Sequence, residues 1–254
     1  SSDLEAGQPV QETSFERQLQ IQDPLLPRLA AGLRERFPDL IALAFFGSRV
    51  AGETDEYSDY DALLVLPDGL AWRERRETEL EFEKRFGIRL QLTATSPRGV
   101  DFYARLDPSF RFWLKDAVII GQAAVLDGNL PPVARQGCLG SLAEAELDLE
   151  DAARKPTLYE RGKDYYKILR RLIIVEKVIE GDYSYALLRR ELEKLLGKDL
   201  LALLRKPRPH LKKAEVDRMA ALARKKLAEV KAKAEAMPAN ESDAYLDRMK
   251  GHGA

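Results

Sequence analysis

Phe45-Phe46-Gly47-Ser48-Arg49 and, after a polar stretch ending at Ser58, Asp59-Tyr60-Asp61-Ala62-Leu63-Leu64-Val65-Leu66 decide the reading of this chain. Leu40–Phe46 is an apolar run of strand length that ends on a Gly-Ser turn. Tyr60–Leu66 is a second such run, with a carboxylate at two alternate positions near its start. Side chains two apart on a strand share a face, so Asp59 and Asp61 project together while Tyr60 points away. Paired carboxylates with no basic residue between them make a hard-oxygen site suited to Mg²⁺ or Mn²⁺. A glycine followed by a hydroxyl lets backbone N–H groups and the serine approach a phosphate closely. Together these are the parts that phosphoryl or nucleotidyl transfer requires.

Outward from this pair, the pattern is mixed and then helical. Residues 1–14 are polar and read as unstructured, and a helical pattern runs from Phe15 to Phe37, interrupted at Pro24 and Pro27. Pro67-Asp68-Gly69 is a turn, Trp72–Phe86 a charged helix stopped by Gly87, and Ile88–Thr95 an alternating, half-buried strand. Pro97-Arg98-Gly99 reads as a turn. A further helix starts at Asp107-Pro108-Ser109 and runs through Phe110–Ala117, and Ile119–Leu126 reads as a last strand. Asn129-Leu130-Pro131-Pro132 breaks helix and favours extended chain, which sets an expected domain boundary at 130. Helices are then expected over Ser141–Ala153, Tyr159–Ile179, Tyr185–Leu196, Asp199–Leu204 and Ala214–Ala236, with Tyr159–Ile179 at the bundle centre. Residues 237–254 read as a mobile tail.

Charge separates the halves. Residues 1–160 hold 18 Lys and Arg against 28 Asp and Glu, whereas 161–233 hold 21 against 10. An acidic half fits a metal-binding domain, and a basic half fits contact with polyphosphate, RNA or DNA, or simply solvated Lys/Arg-rich helices. The lone cysteine, Cys138, falls in a Gly-rich connector and cannot form an internal disulfide; with only two histidines, a zinc cluster is not expected. No apolar run reaches membrane-spanning length and no leader pattern is visible, so a cytoplasmic protein is the expectation. Oligomeric state is not legible.

Gly47-Ser48, the polar loop and Asp59-x-Asp61 running into Ala62–Leu66 resemble the signature of the DNA polymerase β-type nucleotidyltransferase superfamily, particularly its minimal and aminoglycoside-nucleotidyltransferase-like members. The resemblance implies an α+β fold, with a small mixed β-sheet flanked by helices and followed by a C-terminal helical bundle that closes over the cleft. It also implies a Mg²⁺-dependent transfer of a nucleoside monophosphate from an NTP to a small molecule, protein or nucleic acid. Asp59 and Asp61 would hold the metal, and Gly47, Ser48 and Arg49 would cradle the phosphates. An ion pair between Arg49 and Glu53 or Asp55 is the alternative for that arginine. In this family a third carboxylate lies on the third strand; the matching position here is Gln91, which cannot take a proton at neutral pH. Asp101 is the nearest carboxylate that could substitute. On the following helix, Glu160, Lys163 and Lys167 stand at i, i+3 and i+7, which makes Glu160 a candidate base and the lysines candidate phosphate contacts. Gln91 also motivates a rival reading: an impaired member that binds nucleotide or nucleic acid, or an antitoxin-like regulatory partner.

Overall fold

A computed structural model of the chain describes residues 23–52, 59–126, 130–206 and 208–251. Two compact units result, Ser1–Asp39 and Leu40–Ala254. Within the first, helix α1 spans Leu26–Arg36, shorter than the expected Phe15–Phe37, of which residues 15–22 lie outside the described set. Pro27 sits at its start, where a missing N–H costs nothing.

The second unit is built on a four-stranded sheet in the order β3-β2-β1-β4, from β1 (Ala42–Phe46), β2 (Tyr60–Val65), β3 (Leu90–Thr95) and β4 (Val118–Gly121). The β1 strand pairs antiparallel with both β2 and β4, and β2 pairs parallel with β3, so the sheet is mixed. Both sheet faces are covered, which explains why β1 is apolar and buried at every position rather than alternating. Helix α2 (Trp72–Phe86) makes the crossover from β2 to β3 and ends at Gly87 in the left-handed conformation. It also protects the β3 edge: buried Glu79 accepts the Leu92 N–H at 3.0 Å.

Three readings of the sequence need correction. Pro97-Arg98-Gly99 is not a simple turn; it opens helix α3 (Pro97–Leu106), capped by Ser96, before α4 (Pro108–Lys115), capped by Asp107. The last strand stops at Gly121 and gives way to a 3₁₀ turn at Ala123–Val125. Helix α5 runs Arg135–Arg154, six residues earlier than expected, and takes in Cys138, which is fully buried. The physical reason lies at Gly137. A β-carbon there would strike the Leu106 carbonyl, so the glycine serves close packing against α3 and marks no connector.

Beyond α5 come α6 (Leu158–Glu180), α7 (Tyr185–Leu196), α8 (Lys198–Arg205) and α9 (Lys213–Glu235). Leu169, Leu172 and Val175 of α6 are fully buried, which puts this helix at the centre of the bundle. No helix is long and apolar enough to cross a membrane among the described residues.

Within the expected mobile tail, 237–254, a helix forms, α10 (Glu241–Gly251), with Ser242 and Leu246 buried; residues 252–254 lie outside the described set. The first N–H groups of α5 explain it. Ala134, the residue before that helix, has no side chain able to accept from them. Asp243 does so in its place, accepting from Arg135 N at 3.2 Å and Gln136 N at 3.0 Å. Burial works against its charge, but these backbone donors prevail and hold its pKa below the usual carboxylate value. Asn240 Nδ2 donates to Val133 O at 2.9 Å and Ser242 Oγ to Pro132 O at 2.6 Å, completing the latch. Asp243→Ala is expected to cost about 1–2 kcal/mol, the scale of a lost N-cap. Urea unfolding reads this directly, and an unchanged midpoint would contradict it.

Candidate active site

The chain leaves β1 at Phe46 and turns at Gly47, whose φ of +87° favours glycine. A second requirement is steric: a β-carbon at Gly47 would run into Asp61 Oδ2. The Ala51 N–H then donates back to Gly47 O at 3.1 Å, fixing the turn that carries Ser48. Sheet register fixes the rest, since Phe46 pairs with Asp61 and Asp61 with Gln91. Gln91 therefore stands directly beside Asp61 on the neighbouring strand, the position assigned to it from the strand pattern.

Ser48, Asp59, Asp61 and Gln91 border one cleft of about 420 Å³. Its opposite wall is helical: Lys163, Tyr166 and Arg170 from α6, Tyr185, Leu188, Arg189 and Leu192 from α7, and Leu201, Leu204 and Arg205 from α8. Lys163 is present as expected, with its Nζ donating to the Leu204 carbonyl. Glu160 and Lys167 do not line this cleft. Glu160 closes the α6 capping box with Thr157, accepting the Thr157 hydroxyl at 2.8 Å, and Lys167 faces Asp164 at 3.9 Å. Arg49 places its guanidinium over the ring of buried Tyr60 at 4.3 Å, a cation–π contact with the strand's other face. Its alternative partners Glu53 and Asp55 lie outside the described residues, as does Ser58. Asp101 is taken up by Arg105 at 3.1 Å.

Sequence reasoning missed Arg170, Arg189 and Arg205 as cleft residues. The signal was available for Arg170: the cleft-facing stripe of α6 is Lys163, Tyr166 and Arg170, the same i, i+3, i+7 spacing begun three residues later.

Electrostatics mark the two aspartates. Burial, reinforced by the neighbouring Asp59 charge and only partly relieved by Arg170, pushes the Asp61 pKa up to about 6. Asp59 Oδ1 is buried without a hydrogen-bond partner; its nearest cation, Arg89 Nη1, stands 3.9 Å away. An orphaned carboxylate oxygen beside a second, charge-crowded carboxylate suits a divalent cation. No group of three acidic, His or Cys ligands occurs among the described residues. Two carboxylates are a donor set suited to Mg²⁺, which is commonly bound by one or two carboxylates with substrate phosphates and water completing the shell.

A mixed sheet whose antiparallel β1–β2 pair presents a Gly-Ser turn against an Asp-x-Asp strand start, with helices closing the cleft, defines an α+β nucleotidyltransferase fold. Residues 26–106 match the family model described as nucleotidyltransferase domain. The match is consistent with the polymerase β-type nucleotidyltransferase superfamily. No curated protein matches the chain.

Proposed function

We propose that the protein transfers a nucleoside monophosphate from an NTP to an acceptor, with Asp59 and Asp61 holding Mg²⁺ or Mn²⁺. The observation that carries this reading is the crowded carboxylate pair sharing one cleft with Ser48 and with the cations of α6. In the reaction, the acceptor oxygen bonds to the α-phosphorus, the bond from that phosphorus to the α–β bridging oxygen breaks, and pyrophosphate leaves. Asp59 and Asp61 would hold a divalent cation, which when bound would supply neutralisation of phosphate charge. Ser48 and the turn at Gly47 hold phosphate oxygens, and Lys163 and Arg170 face them from the helical wall. Gln91 donates or accepts a hydrogen bond beside Asp61 but takes no proton, and Glu160 is committed to its cap, so the acceptor proton leaves to water at the cleft mouth.

Gln91 also favours the second reading, a domain that binds Mg²⁺–NTP without turnover and serves as a binding or regulatory partner. Melting of wild type and Asp59→Asn with each NTP, with and without Mg²⁺, tests the shared part. Ligand at a hundred times Kd adds about 2.7 kcal/mol. A Mg²⁺-dependent upward shift, lost in Asp59→Asn, is expected; no shift with any nucleotide would sink both readings. Release of pyrophosphate by wild type then separates turnover from binding. RNA or DNA contact through the basic half has weaker support, because many of those cations are locally engaged, as in Arg171–Asp148 at 2.8 Å and Lys213–Asp217 at 2.5 Å.

A further inference from the structure

A second cavity, of about 510 Å³, adjoins the carboxylate cleft and shares Arg170 with it. It lies among α3, α4, α5 and α6. Two independent features tie it to the site. Arg170 borders both spaces. Trp113, on the wall of the second cavity, stacks on Phe46 with ring centroids 5.5 Å apart and planes 10° apart. Phe46 is the register partner of Asp61, so the cavity stands one side chain removed from the carboxylate row.

The lining specifies a ligand class. Tyr103, 44% exposed, together with half-buried Trp113 and with Leu106 offers aromatic and apolar surface to this cavity. The remaining charges largely cancel. Arg171 is met by Asp148 at 2.8 Å and Glu144 at 3.7 Å, Lys167 by Asp164 at 3.9 Å, and Asp107 caps α4. Arg170 alone of these cations makes no ion pair among the described residues; its guanidinium rests 5.9 Å over the Tyr166 ring. On Gly140, also at the wall, an added β-carbon would meet nothing within 4 Å, so the cavity is open there.

We propose that this cavity is the acceptor subsite, taking a planar aromatic or heteroaromatic ring that carries one anionic group, the ring against Tyr103 and Trp113 and the anion at Arg170. The inference rests on the nucleotidyl-transfer reading and adds to it which acceptors fit. An acceptor hydroxyl then enters the cleft past Arg170; its oxygen bonds to the α-phosphorus, pyrophosphate departs and the proton goes to water. A polycationic acceptor would meet Arg170 unfavourably.

The test uses 4-(hydroxymethyl)benzoate, which joins a ring, a carboxylate and a free hydroxyl, with benzyl alcohol and glycolate as its uncharged and ringless counterparts. The chain has two tryptophans, and exposed Trp72→Phe leaves Trp113 as the sole reporter. Saturable quenching of Trp113 by the benzoate is expected, with Kd raised about tenfold or more in Gly140→Leu, which fills the cavity, and in Tyr103→Ala. Both counterparts should bind more weakly. With an α-labelled NTP and Mg²⁺, labelled benzoate derivative should form in the parent and disappear in Gly140→Leu, while the Mg²⁺–NTP melting shift stays. No saturable quenching, or quenching that Gly140→Leu leaves unchanged, overturns the subsite. Occupancy without labelled product, where the Mg²⁺–NTP shift stands, overturns its acceptor role. Loss of the Mg²⁺–NTP shift itself would instead refute the transfer reading, and quenching measured without nucleotide still decides the cavity.

Discussion

Asp61→Asn should cut nucleotidyl transfer by about a thousandfold and, in metal-free protein, raise the melting temperature. The two effects share one cause. Burial and the Asp59 charge make the Asp61 carboxylate unfavourable in the fold, pushing its pKa from 3.8 up to about 6. A raised acid pKa means the folded state binds its proton more tightly than the unfolded state does. Stability is therefore fully present below the ordinary value and is lost as pH rises through about 6. At one unit per about 1.36 kcal/mol the penalty at neutral pH approaches 3 kcal/mol, and residual hydration reduces it to about 1–2 kcal/mol. Asparagine keeps the shape without the charge, so a gain of a few degrees is expected, since about 2–4 °C per kcal/mol applies at this size. The gain should shrink as pH falls below the raised pKa, where wild type also becomes neutral. Transfer should fall by about a thousandfold, the scale for removing one preorganised charge-stabilising group. With Mg²⁺ and NTP the order should reverse, because only wild type gains a ligand. Scanning both proteins in chelator and in Mg²⁺–NTP decides this; Asp61→Asn melting below metal-free wild type would refute the stored charge strain.

The carboxylate half of this cleft was legible because strand chemistry is local. An Asp-x-Asp at a strand start puts both carboxylates on one face whatever the rest of the chain does, and the register sets Asp61 between Phe46 on β1 and Gln91 on β3. The Gly-Ser turn was equally local. What the sequence does not show is why glycine is needed at position 47: the Asp61 carboxylate occupies the space, a contact between residues on different strands.

The helical wall was legible as helix but not as wall. Helical periodicity names a face only up to a rotation, and Glu160, Lys163, Lys167 and Lys163, Tyr166, Arg170 satisfy the same spacing. The structure separates them: Thr157 recruits Glu160 to the helix start, while Lys163, Tyr166 and Arg170 line the cleft. Residues Glu241–Gly251 were misread as part of a mobile tail for the opposite reason. Their polarity signals exposure only if no distant donor needs them, and the uncapped start of α5 lies more than a hundred residues away. Likewise Gly137 looked like a connector until α3, read as a turn, supplied the carbonyl it packs against.

The basic excess of residues 161–233 invites a nucleic-acid reading, yet part of it has a structural purpose that can be measured. Glu176 on α6 is 7% exposed and accepts from two lysines of α9, Lys226 Nζ at 2.5 Å and Lys233 Nζ at 2.6 Å. Burial alone would raise its pKa, but the two ammonium groups outweigh that and hold it below the usual value. Glu176→Ala should cost about 2–3 kcal/mol, below the roughly 3–5 kcal/mol of a fully buried pair, because truncation leaves half-buried Lys226 with its remaining carboxylate, Glu229, at 3.9 Å. Exchanging both partners for apolar residues, as in Glu176→Leu with Lys226→Met, should cost far less, since no charge is stranded. The depressed pKa sets the pH sign: this stability is present above the ordinary glutamate value and is lost as pH falls through the lowered one. Urea unfolding of the three proteins at neutral and acid pH reads all of this. A loss under about 1 kcal/mol for Glu176→Ala would class the cluster with solvent-screened surface pairs. Because Glu176 borders neither cavity, Mg²⁺–NTP binding should survive in the folded fraction of each variant. That result would separate the cations that hold α6 and α9 together from Lys163 and Arg170, which face the carboxylates.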